Sequence, residues 1–253
     1  DAEKSAGRPM ELITAPKQLS PAPLVLNAET KHGYAKQLAE LVTQRHLALL
    51  ETPHPAGTLT LVVVNRVTRA REIFEALTRT EKKGKKPLCD PANVALIHSR
   101  FRPVDREKHT KLLFGDKDGK GDRIVIATQA VEAGVAVSAR LLITELAPWS
   151  SLVQRMGRCN RYAKIDDAEV LWVDIEPDAK GELLVPYTES ELTKARTELL
   201  KLTDASPQAL RSVNVEPEKI IRPVIRRRDL VDLFDTTPDL CGQDLDISRY
   251  IRD

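Results

Sequence analysis

Five short apolar runs, separated by stretches of helical periodicity, constrain most of what this 253-residue chain can fold into. They lie at residues 58–65, 93–98, 123–128, 140–146 and 169–174. A strand that is apolar at nearly every position, rather than at every second one, must be covered on both faces. That is the condition of a parallel sheet held between helical layers. The stretches between the runs supply the helices. Ala70, Ile73, Phe74 and Leu77 fall at i, i+3, i+4 and i+7 and form one apolar stripe. Pro103 suits the first turn of a helix ending near Phe114. A further helix is predicted over 150–162, and Tyr34, Leu38, Leu41, Val42 and Leu49 mark another, with Thr30 as its N-cap.

The flanks read differently. Residues 1–23 carry Pro9, Pro16, Pro21 and Pro23 and are expected to form an extended lead-in or linker. The sheet domain is expected to occupy 24–176. After Pro177 the alternation stops, and 177–253 reads as a small accessory region of short helices and loops. It has a helix-like stretch at 189–202, prolines at 207, 217, 223 and 238, and a basic run at 226–228. No internal repeat is present.

Composition narrows the function classes. Lysine and arginine number 39 against 37 aspartates and glutamates, a net charge of +2, so any anion site must be local. Cys89, Cys159 and Cys241 form no paired spacing and are expected to be reduced thiols of a cytoplasmic protein, without a disulfide or zinc framework. No apolar run suits a signal peptide or a membrane span. The start, which lacks a methionine, is consistent with a piece of a longer chain. The glycine-rich 115–121 (GDKDGKG) is no phosphate loop. It has three residues between its first two glycines, lacks the hydroxyl residue after lysine, and precedes a strand instead of following one. It also fails as a calcium loop, with Lys120 and Ala127 at ligand positions. The scattered aspartates of the tail, without histidines, read as solvated surface, and no metal site is expected.

The densest chemistry lies at 151–161 (SLVQRMGRCNR). On a helix, Gln154, Arg158 and Arg161 would fall within about 40° of one another on one face. No acidic residue stands between Glu145 and Asp166 to neutralise them, so an anion is a natural partner. The planar guanidinium fork suits a phosphate. The bland alternative is a helix whose arginines extend into solvent.

QRMGRCNR resembles the sixth motif of superfamily-two helicases, on their second RecA-like lobe. Further segments agree in order: LVVVNRV at 61–67, HSRF followed by DR at 98–106, ATQAVEAGV at 127–135 and TELAPWSSLVQRMGR at 144–158. Together they are most similar to the CRISPR-associated helicase-nuclease of type I systems, and DLVDLFDTTPDL at 229–240 is similar to its U/G subtype. The resemblance implies an α/β fold with a RecA-like parallel sheet flanked by helices. It also implies that Arg158 and Arg161 act as arginine fingers toward ATP, with Gln154 orienting phosphate or water. Thr128, Gln129, Glu132 and Gly134 would couple the nucleotide to nucleic acid, and Asn65, Arg66, Ser99 and Arg100 would lie on the single-stranded DNA path. Thr128 and Ser99 can equally be helix caps, and Arg66 and Arg100 surface charges.

Two departures qualify the resemblance. Ala136 stands where an aspartate near the nucleotide ribose is usual, and the chain has neither a Walker A loop nor a D-E-x-H box. ATP and Mg2+ would therefore be held mainly by a missing first lobe, and none is expected to bind this fragment tightly. The implied partners are that lobe, a nuclease domain, single-stranded DNA and a guide-RNA surveillance complex, with no membrane. The implied function is the second motor lobe of an ATP-dependent DNA translocase, inactive alone. The alternatives are the same lobe of a repair or restriction motor, and a non-catalytic scaffold derived from it.

Overall fold

The computed structural model describes residues 14–55, 57–79, 87–98, 113, 121–133, 135–215 and 227. In chain order its strands are β1 (Gln18–Leu26), β2 (Leu59–Val63), β3 (Val94–Ile97), β4 (Arg123–Ala127), β5 (Leu141–Glu145) and β6 (Glu169–Ile175). Its helices are α1 (Tyr34–Leu50), α2 (Val67–Thr78), α3 (Trp149–Met156), α4 (Glu189–Leu199) and α5 (Pro207–Arg211). The strands form one six-stranded sheet in the order β1-β6-β5-β2-β4-β3, with every pairing parallel. Leu61 of β2 stands level with Val125 and Leu142, which places the five predicted runs in one sheet. All five residues of β2, of β4 and of β5 are buried. This is the two-sided coverage that their continuous apolar character demands.

The sixth strand, β1, lies partly inside the segment read as a lead-in. Pro21 and Pro23 lack the amide hydrogen of a central ladder, but β1 is an edge strand paired to β6 alone. An edge tolerates proline, and the register shifts between Pro21 and Val25. The cap of α1 also differs from expectation. Gly33 takes the N-cap position, while Thr30 closes a turn with Asn27, donating its hydroxyl to the Val25 carbonyl and accepting from the Asn27 amide. Its stripe of Tyr34, Leu38, Ala39 and Val42 is buried, with Leu41 and Leu49 only half-buried. His46 faces β2 through a 2.9 Å contact with the Thr60 hydroxyl. In α2, Ala70, Ile73 and Leu77 are buried as expected, Arg69 joins them, and Phe74 of the same stripe is half-buried. The helix expected from Pro103 lies outside the described residues except for Leu113, which is helical and buried.

The largest difference concerns the predicted helix over 150–162. It stops at Met156, with Gly157 as its C-cap. The Met156 carbonyl accepts both the Cys159 amide at 3.1 Å and the buried ammonium of Lys17 at 2.9 Å, a cation placed at the negative end of the helix. Asn160 then adopts a positive φ of 42°, a conformation asparagine tolerates. Its side chain bonds the Pro16 and Ile165 carbonyls and the Ile165 amide. Arg158 and Arg161 therefore lie beyond the helix. Downstream, α4 begins with a reciprocal Thr188–Glu191 capping box, and its Leu192, Ala195 and Leu199 join the same hydrophobic core as the sheet. That compact unit ends at Glu216, and a second unit runs from Pro217.

At the N-terminal edge of the sheet, Arg140 is 3% exposed. It donates to the Leu49 and Thr52 carbonyls at 3.0 and 2.7 Å and to Asp167. One guanidinium thus ties the end of α1 and the start of β5 to the turn before β6. The hydrogen bond from Arg140 holds the Asp167 carboxyl below its ordinary pKa. A group with a lowered folded-state pKa contributes stability above its unfolded pKa, about 4, and loses it as pH falls through the folded value. Because the Asp167 side chain is 53% exposed, solvent screens the pair and its worth is below about 1 kcal/mol. Asp167→Asn is therefore expected to lower the urea midpoint modestly at pH 7 and to match the parent protein near pH 2. A difference of equal size at both pH values would contradict this assignment.

Candidate functional site

The sheet order creates a place for a site. β2 continues through α2 to β3 on one side, whereas the neighbouring β5 continues through α3 to β6 on the other. Where connections of adjacent parallel strands diverge, their carboxyl ends leave a crevice, the usual ligand position in open α/β sheets. Asn65, just after β2, and Glu145, the last residue of β5, occupy that position.

A buried polar cluster is built on these two residues, and its centre is Arg155 of α3. Arg155 is 0% exposed. Its Nε donates to Glu132 Oε1 at 2.8 Å, and its Nη1 to the Thr144 hydroxyl at 3.0 Å and the Glu145 carbonyl at 3.1 Å. Its Nη2 donates to Asn65 Oδ1 at 3.0 Å and the Tyr187 hydroxyl at 3.4 Å. These five bonds match the five N–H donors of a guanidinium. Around it, Asn65 spends its amide nitrogen on the Leu146 carbonyl and its backbone N–H on Glu145 Oε2. The other Glu145 oxygen accepts from the Tyr34 hydroxyl at 3.0 Å and stands 3.2 Å from Arg69 Nη1. Burial first, and then the Glu145 charge, raise the Tyr34 phenol well above its ordinary pKa, so it acts as a fixed donor.

The sequence-predicted residues divide into three groups. Asn65, Gln129 and Glu132 are brought together. Gln129, in the short 3-10 turn after β4, donates to the Asn65 carbonyl at 3.0 Å and to the Tyr187 hydroxyl at 3.2 Å. Glu132 also accepts from Ser151. Thr128 is buried just before them, its amide bonded to the Ile97 carbonyl at 3.1 Å. Arg158 approaches the same loop from the other side, donating to the carbonyls of Val131 and Glu132. Burial, and then the charge of Arg161, lower its pKa from the ordinary value.

Gln154 and Arg161 are exposed, and because α3 ends at Met156 they do not share a helix face with Arg158. The expected convergence of three donors therefore does not form on one helix. Arg161 is placed instead by its backbone amide, which donates to Ser138 Oγ. Arg66 is exposed and donates to the Glu182 carbonyl at 3.2 Å. Ala136 is exposed too. Gly134, Ser99 and Arg100 lie outside the described residues.

Arg155, Glu145, Arg69 and Tyr187 carry much of this geometry and escaped sequence reasoning. The signal for Arg155 was present: it lies between Leu152 and Met156 on the apolar face of α3, where an arginine has no solvent to reach. Removing its side chain leaves half-buried Glu132 with Ser151 but without its cation, and leaves the buried Asn65 amide oxygen without that donor. Arg155→Ala is thus expected to cost about 3–5 kcal/mol in urea unfolding. Arg155→Lys, which keeps the charge but loses the planar fork, should fall between the two. A loss below about 1 kcal/mol for Arg155→Ala would show that the cluster is not a structural centre.

Residues 56–164 match the family model described as CRISPR-associated nuclease/helicase Cas3, C-terminal. The CRISPR-associated helicase Cas3 of Thermoproteus tenax is 34% identical over 146 residues, which cover 57% of this chain and 22% of that protein. Among solved structures, T. fusca Cas3 with AMPPNP superposes with a TM-score of 0.51 and 23% identity, over 78% of this chain and 22% of the other. A chain of a CRISPR RNA-guided surveillance complex in a pre-nicking state gives a TM-score of 0.52 and 22% identity, over 78% and 24%. These two likenesses show a shared fold. The chain spans roughly a tenth to a quarter of the length of the curated Cas3 relatives it matches, and its residues 56–164 are similar to the C-terminal region of that family.

Proposed function

We propose that this chain works as the second RecA-like motor lobe of an ATP-dependent, Cas3-type DNA translocase in type I CRISPR interference. The observation that carries the reading is Arg158. Among the described residues no carboxylate lies within ion-pair distance of it, yet its guanidinium is held by two main-chain carbonyls of the loop that follows β4. A positioned cation without a carboxylate partner suits an arriving anion. The carbonyls fix its direction without neutralising its charge.

The chain's residues fit one side of a nucleotide and not the other. Arg158 can donate to a phosphate oxygen, with Arg161 adding positive charge nearby. The phosphate-binding loop and acidic box that cradle a triphosphate and its magnesium are absent from the sequence. A first lobe would supply that cradle, and ATP bound there would supply the phosphoryl group. On this side, Arg158 stabilises charge on the phosphate, and Glu132 and Asn65, locked by Arg155, keep the loop beneath it in place. Gln129, one step along the same loop, joins this anion site to the carboxyl end of β2, where exposed Arg66 can meet a nucleic-acid backbone. The nuclease domain and the surveillance complex are proposed partners of the whole protein. The U/G subtype rests on 229–240, outside the described residues.

The test is kinetic. This chain alone should release no phosphate from ATP, with or without single-stranded DNA. In the enzyme that joins it to its first lobe, Arg158→Ala should lower kcat by about 10³ to 10⁵ while changing ATP affinity far less, because a finger acts on the transition state. Equal losses in kcat and in ATP binding would reject the finger role. DNA-stimulated hydrolysis by this chain alone would place the active site elsewhere.

A further inference from the structure

The segment 177–187, between β6 and α4, crosses the same sheet edge and is built to stay there. Leu183 and Leu184 are buried. The Asp178 carboxylate accepts the Leu183 amide at 3.1 Å, and the Gly181 amide bonds back to the Asp178 carbonyl at 2.9 Å. Gly181 turns the chain at a φ of +66°. The strap reaches two places. Its Glu182 and Leu183 carbonyls accept from Arg66 and Arg69 at the start of α2, and its Tyr187 hydroxyl accepts from both Gln129 and Arg155. Tyr187 lies beyond the segment that matches the Cas3 family model.

We propose that Tyr187 is a positioning residue, whose hydroxyl fixes the side chain of Gln129 and thereby sets how strongly DNA at this edge stimulates ATP turnover. The amide nitrogen of Gln129 has two acceptors, one on the chain leaving β2 and one on the strap, so the side chain is pinned from both directions. Arg155 Nη2 keeps its shorter bond to Asn65 when the phenol is absent, whereas Gln129 loses one of its two anchors. The ring of Tyr187 packs against the hydrophobic core. Phenylalanine therefore preserves the packing and removes only the acceptor. The same strap holds Arg66, so displacement of the Glu182 carbonyl by a DNA phosphate and movement of Gln129 are linked through a short, internally bonded segment. The coupling role rests on the motor-lobe reading; the pinning of Gln129 does not.

Two measurements separate these steps. In this chain, Tyr187→Phe should lower the thermal midpoint modestly, because one Arg155 N–H loses its longest bond as well, and should speed solvent exchange of the Gln129 side-chain amide, followed by NMR, by about fivefold, the effect of one hydrogen bond. An unchanged exchange rate would overturn the positioning role whatever the chain does. In the two-lobe enzyme, the same variant should lower the DNA-stimulated rate about fivefold more than the DNA-free rate. Equal effects on the two rates would overturn the coupling. An unsubstituted enzyme that DNA does not stimulate would defeat the motor reading itself, and the coupling role with it, while leaving the amide result intact.

Discussion

A guanidinium with no access to water must find an acceptor for every donor, and Arg155 finds five. Desolvating that charge costs several kcal/mol, and the pairing with Glu132 offsets it only because the remaining donors are also satisfied. The acceptors come from four separate stretches: the chain leaving β2, the loop after β4, the end of β5 and the strap before α4. Satisfying one side chain therefore fixes the relative positions of all four. The apolar runs decide that a parallel sheet forms, and Arg155 decides how its carboxyl edge is finished.

The opposite edge is finished by the same device. Arg140 gathers the end of α1 and the turn before β6 around the start of β5, again through carbonyls and one carboxylate. The difference lies in exposure. Asp167 is largely in solvent, so that pair is weak and pH-sensitive, whereas Glu145 and its partners are sealed. Rigidity is thus concentrated at the carboxyl edge, where Arg66 stands and where the loop that accepts from the Arg158 side chain begins. A site that must present a cation at a fixed distance from an arriving phosphate benefits from preorganised support, since little reorganisation then remains to be done on binding.

Much of the fold was legible. Continuous apolar runs identified β2 to β6 within one or two residues, and the stripe of α2 was read correctly, because burial leaves a periodic trace. β1 was missed because prolines at an edge strand look like a linker when pairing partners are unknown. The end of α3 was missed for a related reason. Lys17, well over a hundred residues earlier in sequence, closes the helix at Met156, and Asn160 builds a turn from contacts with Pro16 and Ile165. Lys17 and Pro16 are both distant in sequence, so the local pattern does not show them. The same error placed Gln154, Arg158 and Arg161 on one face and left Arg155, the residue between them, without a role. Gln129 and Glu132 were singled out for nucleotide coupling and Asn65 for the DNA path, from resemblance to helicase motifs and not from any spacing of their own; that the three meet around one guanidinium was not legible.

The central claim is that Arg155 is the physical link between the side chains of Asn65 and Glu132, beyond the backbone pairing and the Gln129 bond that also join their segments. Asn65 and Glu132 both bond it, Glu132 at Nε and Asn65 at Nη2. A double-mutant cycle of Asn65→Ala and Glu132→Ala, read by urea unfolding, measures that link directly. Residues joined through a shared buried partner should show a coupling energy of at least about 0.5 kcal/mol, and the coupling should vanish when the cycle is repeated in Arg155→Met. Losses that add within about 0.3 kcal/mol while Arg155 is present, or a coupling that persists in Arg155→Met, would contradict the account.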